Sequence, residues 1–146
     1  EINCDYIDVI SFDLDGNDLF LVDELLKNNF KPKLFIVEYN GKFPPPIQWR
    51  MNYNEKHIWD GSDYYGASLA SFNELFVNND YELICCNAHT GSNAFFIKKE
   101  YLKLFDDVPK NIEDIYVPPR YFLHNVFGSH SFSHPQSVKT INKLFE

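Results

Sequence analysis

Methionine occurs once in this chain and cysteine three times, and no two cysteines form a C-x-x-C pair. Cys4, Cys85 and Cys86 are odd in number, which excludes a closed disulfide framework. The adjacent pair falls in a strand-like run with side chains facing opposite ways, and all three read as buried free thiols of a reducing, cytoplasmic compartment. No apolar run is long enough to span a bilayer, and no signal peptide or lipidation motif stands at either end, so membrane insertion is not expected. Basic residues are scarce: 13 Lys and Arg face 21 Asp and Glu, for a formal charge of -8, and no basic patch interrupts the acidic background. Nucleic acid and anionic membrane surfaces are therefore not expected as partners. Glycine numbers only 6, and no G-x-G-x-x-G follows a strand to cradle a dinucleotide. Repeats and low-complexity segments are absent too.

What remains is a chain of 146 residues, 45% hydrophobic, enough for one core and too short for a second full domain. Aromatic residues make up 17% and crowd into stretches outside the periodic segments, 43–65 and 116–132, where they either line a pocket or pack over a sheet edge. Glu1 in place of an initiator methionine, with a strand starting almost at once, leads to the expectation that this is a piece of a longer protein.

Strand and helix signals alternate from the start. Ile7 to Phe12 is an apolar β run. Leu19, Val22, Leu25 and Leu26 then recur at helical spacing behind Asn17 and Asp18, either of which can cap a helix, and Asn28-Asn29 stops it. Lys33 to Tyr39 reads as the second strand. Ser68 caps a helix with the stripe Leu69, Phe72, Leu75 and Phe76, and Asn78 to Asp80 ends it. Tyr81 to Cys86 and Ala94 to Ile97 follow as strands around a turn. This order predicts parallel neighbours for the strands joined through helices, and antiparallel pairing for the last two. Residues 41–67, opened by Pro44-Pro45-Pro46, are too long for an ordinary connection and read as a lid or binding loop. From Lys99 periodicity weakens, apart from a terminal helix carrying Val138, Ile141, Leu144 and Phe145. Residues 1–102 are expected to form the α/β domain and 103–146 an aromatic-rich, irregular extension packed on it.

The chemistry gathers where strands end. Asp13 and Asp15 close the first strand, and Glu38 and Asn40 the second; a spacing of two points each pair one way. Ligands in open α/β sheets sit outside the carboxyl ends of strands. Oxygen-rich pairs there suit a hard cation such as Mg2+, or the hydroxyls of a substrate, making Asp13, Asp15, Glu38 and Asn40 the candidate metal ligands. The plainer alternative has Asp15 and Asp18 capping the next helix and Glu38 paired with a loop cation. His57, in the long loop, is the candidate general base if that loop folds over the crevice; His89 has a weaker claim. Tyr64, Tyr65 and Ser68 at a helix start, and Asn93 at a strand start, complete the candidate substrate-binding set. His124, His130 and His134 lack the cysteine partners or helical H-x-x-x-H frame of a zinc site.

Two resemblances attach to these residues. Asp13-Leu14-Asp15-Gly16 after an apolar strand resembles the first motif of haloacid-dehalogenase-type phosphatases, with Asn17 where that family usually has Thr; it implies Asp13 as nucleophile and Asp15 as general acid/base. A longer succession resembles the C-terminal half of FkbM-type methyltransferase-like proteins: Asp13 to Asp18, Glu38-Tyr39-Asn40, Tyr53 with Trp59-Asp60-Gly61, Tyr64 to Leu69, and Gly91 to Phe96. It covers about residues 7 to 102 and implies the half of a Rossmann-like, class I S-adenosylmethionine-dependent sheet from its fourth strand onward. The glycine-rich turn and acidic strand end that hold the cofactor in such folds are absent. What the resemblance implies is O-methylation of a small-molecule or glycan hydroxyl, weak or no cofactor binding by this chain alone, and a first-strand edge open or covered by an N-terminal half or a second copy. A non-catalytic glycan- or partner-binding domain is the alternative outside enzymes.

Overall fold

The computed structural model describes residues 7–120 and 135–146. Cys4, His124, His130 and His134 lie outside them, so the readings made of those residues do too. Along the chain run β1 (Val9–Phe12), α1 (Asp18–Lys27), β2 (Leu34–Glu38), α2 (Leu69–Val77), β3 (Tyr81–Cys86), β4 (Asn93–Lys98), a 3-10 segment (Lys99–Leu104), α3 (Ile112–Ile115) and α4 (Pro135–Leu144). The fold is mixed α/β around one open four-stranded sheet of order β1-β2-β4-β3.

β1 and β2 are parallel, with Ile10 opposite Phe35 and Phe12 opposite Val37. β4 then pairs antiparallel with both β2 and β3. The expectation that the third strand would lie beside the second is corrected: β3 runs the same way as β2, but the short β3–β4 turn lets β4 fold back into the space between them. Among the described residues β1 has a single neighbour, as expected for the strand around Ile10.

Alternation along β2 buries Phe35 and Val37 and leaves Leu34, Ile36 and Glu38 half-buried. Helices α1 and α2 deliver their apolar stripes to the buried side: Leu19, Val22 and Leu26 from α1 and Leu69, Phe72 and Phe76 from α2 belong to one core with Phe35, Val37, Tyr81 and Phe96. Aromatic rings dominate its centre. Phe76 stacks on Phe96 with centroids 4.1 Å apart and meets Phe35 at 5.1 Å and Tyr81 at 5.6 Å. The Tyr81 hydroxyl, buried with its ring, donates to the Pro32 carbonyl at 2.5 Å, as a buried phenol requires. Ser68 caps α2 as read, its Oγ accepting the Ser71 amide at 3.2 Å. The cysteine reading is corrected for one of the pair: Cys86 is buried, but Cys85 faces solvent at the register shift that follows Leu83. No helix among the described residues is long and apolar enough to cross a membrane.

Val108, Ile112, Tyr116 and Val117 pack against the same core, so the segment after β4 covers the sheet rather than trailing from it. It is tied at the carboxyl end of β2: Tyr39 Oη donates to the Val117 carbonyl at 2.6 Å, Tyr116 Oη to the Gly41 carbonyl at 2.7 Å, and the Arg120 amide to the Thr90 carbonyl at 2.9 Å. This contact explains Gly91. Its φ is +65°, and a Cβ there would stand 2.4 Å from the Pro118 carbonyl oxygen, a backbone atom that cannot yield.

Candidate functional site

The parallel register that ends at Phe12 and Val37 sets the next residues, Asp13 and Glu38, side by side where the sheet stops. The chain then folds back on itself. Asp18, fully buried at the start of α1, turns its carboxylate toward the preceding loop, accepting the Leu14 amide at 2.9 Å and the Gly16 amide at 3.0 Å. That closure puts Asp15 in the left-handed region, φ 53°, which Asp tolerates better than most residues. Asp13, Asp15 and Glu38 are thereby brought together: one carboxylate oxygen from each lies within 4.8 Å of the others. Asp18 is thus a loop clasp rather than the side-chain cap of α1, and Asn17 at the cap position makes no capping bond.

The long loop lies across this turn. Asn17 Nδ2 donates to the Asn54 carbonyl at 2.7 Å, and the Asn54 amide donates back to Asn17 Oδ1 at 3.2 Å. His57 Nε2 is 3.0 Å from the Asp15 carbonyl oxygen; since a carbonyl only accepts, Nε2 carries the proton and Nδ1 is the nitrogen left for acid–base work. The ring rests on Gly16, where a Cβ would come within 2.3 Å of His57 Cδ2. Glycine is the residue that lets the imidazole approach.

Asn40 is put to a different use from that of a ligand. Fully buried, it donates from Nδ2 to the carbonyls of Asp63 at 2.8 Å and Tyr65 at 2.9 Å, while its Oδ1 accepts the Lys42 amide at 3.1 Å. Both ends of the long loop hang from this one amide. Asn40→Ala removes the side-chain donor that the Asp63 and Tyr65 carbonyls share and is expected to cost about 2–3 kcal/mol; the check is limited proteolysis, with new cleavage confined to residues 41–67. Tyr64, Tyr65 and Ser68 serve the loop's own packing. Tyr64 Oη accepts the Asn52 amide at 3.2 Å, Tyr65 is buried, and Ser68 Oγ accepts the Trp49 amide at 3.0 Å as well as capping α2. Asn93 stands opposite Glu38 in the β2–β4 ladder, so the two side chains share a face of the sheet.

The electrostatics follow from like charges meeting at the edge of the core. Burial, then the charges of Asp13, Asp15 and Asp18, push Glu38 from its ordinary 4.5 up to about 8. Burial, followed by Asp15 and Asp18, also raises Asp13. Near neutrality the cluster therefore retains a proton on Glu38. Among the described residues no Lys or Arg forms an ion pair with any of the four carboxylates. A hard divalent cation fits this donor set: opposite oxygens around Mg2+ stand about 4.2 Å apart, and the cation would release the proton that Glu38 holds.

The raised Glu38 gives a signed pH dependence. Unfolded, the group ionises near 4.5; folded, near 8. Between those values the native state holds the extra proton, so stability falls as pH rises through the window. Glu38→Gln is expected to remove that fall, making the variant more stable than the parent by about 5 kcal/mol well above pH 8 and equal to it below pH 4.5. Denaturant titrations at three pH values check this, and parallel curves for the two proteins would refute it. Added Mg2+ should restore the parent's alkaline stability and leave the variant's nearly unchanged.

Sequence reasoning missed the clasp made by Asp18 and the seat made by Gly16. Asp18 carried a signal, its place in the Asp13 to Asp18 run; the approach of His57 to the crevice was expected only if the long loop folds over it, and nothing pointed to Gly16 as its seat. No protein-family model, no curated protein and no solved structure matches this chain.

Proposed function

We propose that this chain is the acceptor-binding half of a class I methyltransferase-like sheet, holding a small-molecule or glycan hydroxyl against a carboxylate-bound divalent cation. The observation that carries the reading is the convergence of Asp13, Asp15 and Glu38 from two adjacent parallel strand ends, beneath a loop locked by Asn17 and His57. The edge of β1, which has a single neighbour among the described residues, supports it, being where a preceding half-sheet would continue. Asp13, Asp15 and Glu38 would hold the cation, which when bound lowers the pKa of a hydroxyl on it. With the cation bound, Glu38 would serve as an ionised ligand rather than as a base. His57 orients the Asp15 turn through its Nε2–H and keeps Nδ1 available as the candidate base for the acceptor hydroxyl's proton.

The described residues do not fit S-adenosylmethionine. The glycines at the strand ends are filled from within the protein, Gly16 by the His57 ring, Gly41 by Pro119 and the Gly91 carbonyl, and Gly91 by the backbone of Val117 and Pro118, so a cofactor cannot approach any of them closely. The donor's half of the site is expected from outside these residues, and the chain by itself is expected to bind S-adenosylmethionine weakly or not at all.

Two assays with Mg2+ on the protein that carries this chain test the reading: methyl transfer from S-adenosylmethionine to a panel of hydroxylated acceptors, and phosphate release from a phosphomonoester. Methyl transfer without phosphate release supports it. Phosphate release without methyl transfer replaces it with the phosphatase, a reading weakened because among the described residues no basic side chain pairs with the cluster to offset a phosphate's charge. Failure of both with an intact fold leaves a binding domain.

A further inference from the structure

No basic run is visible in the sequence, yet folding gathers lysines from separate segments at the pole of the sheet opposite the carboxylates. Two cavities there, of ≈ 490 and ≈ 360 Å³, share Lys31 and Lys98 in their walls. Lys31 follows α1, and Lys98 closes β4; the antiparallel ladder that sets Ile97 opposite Leu34 is what brings them to one place. The larger cavity adds apolar walls from Ile10, Phe30 and Pro32 and an amide from Asn29.

Most lysines of this pole are already engaged. Lys27 pairs with Asp23 at 2.6 Å and Lys33 with Asp8 at 2.7 Å; Lys99 pairs with Glu82 at 3.5 Å and reaches the Val77 carbonyl at the end of α2. Those contacts account for Lys27 and Lys99 as ordinary complements of helix carboxyl ends. Lys31 and Lys98 are not accounted for. Lys31 makes no ion pair among the described residues, and Lys98 reaches only Glu100, at 4.0 Å, with a side chain 27% exposed against 63% for its partner. The larger cavity is lined by Lys31 and Lys98 with no acidic residue, and the smaller by Lys31, Lys98 and Lys99 against Asp80 and Glu100, so the basin keeps an excess of positive charge that an anion would offset. The acidic pole at the far end of the sheet drives the same anion away from the candidate catalytic site.

We propose that this basin binds a small organic anion: a phosphate-type dianion held by Lys31 and Lys98, on an apolar or aromatic body lying against Phe30 and Pro32. A cavity of this volume lies in the range that buries such a molecule, and a dianion uses both cations where a monoanion uses one.

The probe is phenylphosphonate, which neither phosphatase nor methyltransferase chemistry consumes, titrated calorimetrically into the protein in the presence of EDTA. Inorganic phosphate and benzyl alcohol serve as the anion and the body alone. Saturable 1:1 binding of phenylphosphonate is expected, tighter than phosphate by about fivefold or more, and weakened about fivefold by either Lys31→Gln or Lys98→Gln. Lys31→Arg should retain it, and Asp13→Asn should leave it untouched. Melting curves of the glutamine variants matching the parent would assign the loss to the basin. Absence of saturation in the parent, binding unchanged in the double glutamine variant, or loss on Asp13→Asn instead would each overturn the proposal. Equal affinity for phosphate and phenylphosphonate would overturn the assignment of an organic body.

Discussion

Replacing Asp13 by Asn is expected to cut turnover by about a hundredfold or more while leaving the melting temperature unchanged or slightly higher. Asp13 is exposed as a residue at the end of β1, but its carboxyl is partly desolvated, and that desolvation, then Asp15 and Asp18, raises its pKa. The native state therefore gains nothing from its charge, and an isosteric neutral group relieves repulsion. What is lost is an anionic oxygen of the set that would hold the cation. Asp18 gives the opposite pattern. Its carboxylate accepts two backbone amides in a buried position, so Asp18→Ala should cost about 2 kcal/mol and let the Asp15 turn relax. Parallel melting and turnover measurements on both variants separate a chemical role from a structural one. An Asp13→Asn protein as destabilised as the Asp18 variant, with turnover intact, would remove Asp13 from the site.

The largest stability loss is expected at Phe76. The ring is fully buried and touches rings from three strands and its own helix, Phe35, Tyr81, Phe96 and Phe72. Truncation to Ala leaves a void that four aromatic neighbours cannot fill without leaving their own contacts, so a cost of about 3–5 kcal/mol follows. Against the 5–15 kcal/mol typical of a domain's stability, that is a drop of roughly 10–20 °C in melting temperature. Phe145, 78% exposed, provides the contrast: its replacement by Ala should shift the midpoint by no more than about 2 °C. Thermal unfolding followed by circular dichroism measures both, and a loss under about 1 kcal/mol at Phe76 would mean that the rings repack.

The strands and helices were legible because each rests on local pattern. β3 matched from Tyr81 to Cys86, Ser68 capped α2, and α1 stopped at Asn28. The position of β4 was not legible, since periodicity reports which side of a strand is buried and says nothing of which strands it joins. At the site, Asp13, Asp15 and Glu38 could be placed together from strand ends alone. Asn40 could not be told from them: an amide two residues beyond a glutamate has the same spacing whether it serves a ligand or a loop, and only burial against Asp63 and Tyr65 decides. His57 in contact with the Asp15 turn required the loop to fold over the crevice, a conditional that the sequence left open. The terminal helix formed over Pro135–Leu144 and left Phe145 past its end, and Val138 and Leu144 on it stand more than half exposed, because periodic apolar residues guarantee a helix face and not a surface to meet it.

The place of β4 has a kinetic consequence. β1, α1 and β2 form a unit closed by near neighbours in the chain, and β3 with β4 forms a hairpin closed by a short turn. The sheet is joined across these two units by one ladder, from Leu34 opposite Ile97 to Glu38 opposite Asn93, whose partners are separated by the entire long loop and α2. Each unit can collapse quickly alone, whereas the ladder between them must wait for a slow, long-range closure. Glu38 lies at the last rung of that ladder. Asp13, Asp15 and Glu38 all belong to the first unit, so the carboxylate cluster can assemble before the two units dock, and a chain stalled at that stage would hold the acidic cluster without Asn93 beside Glu38.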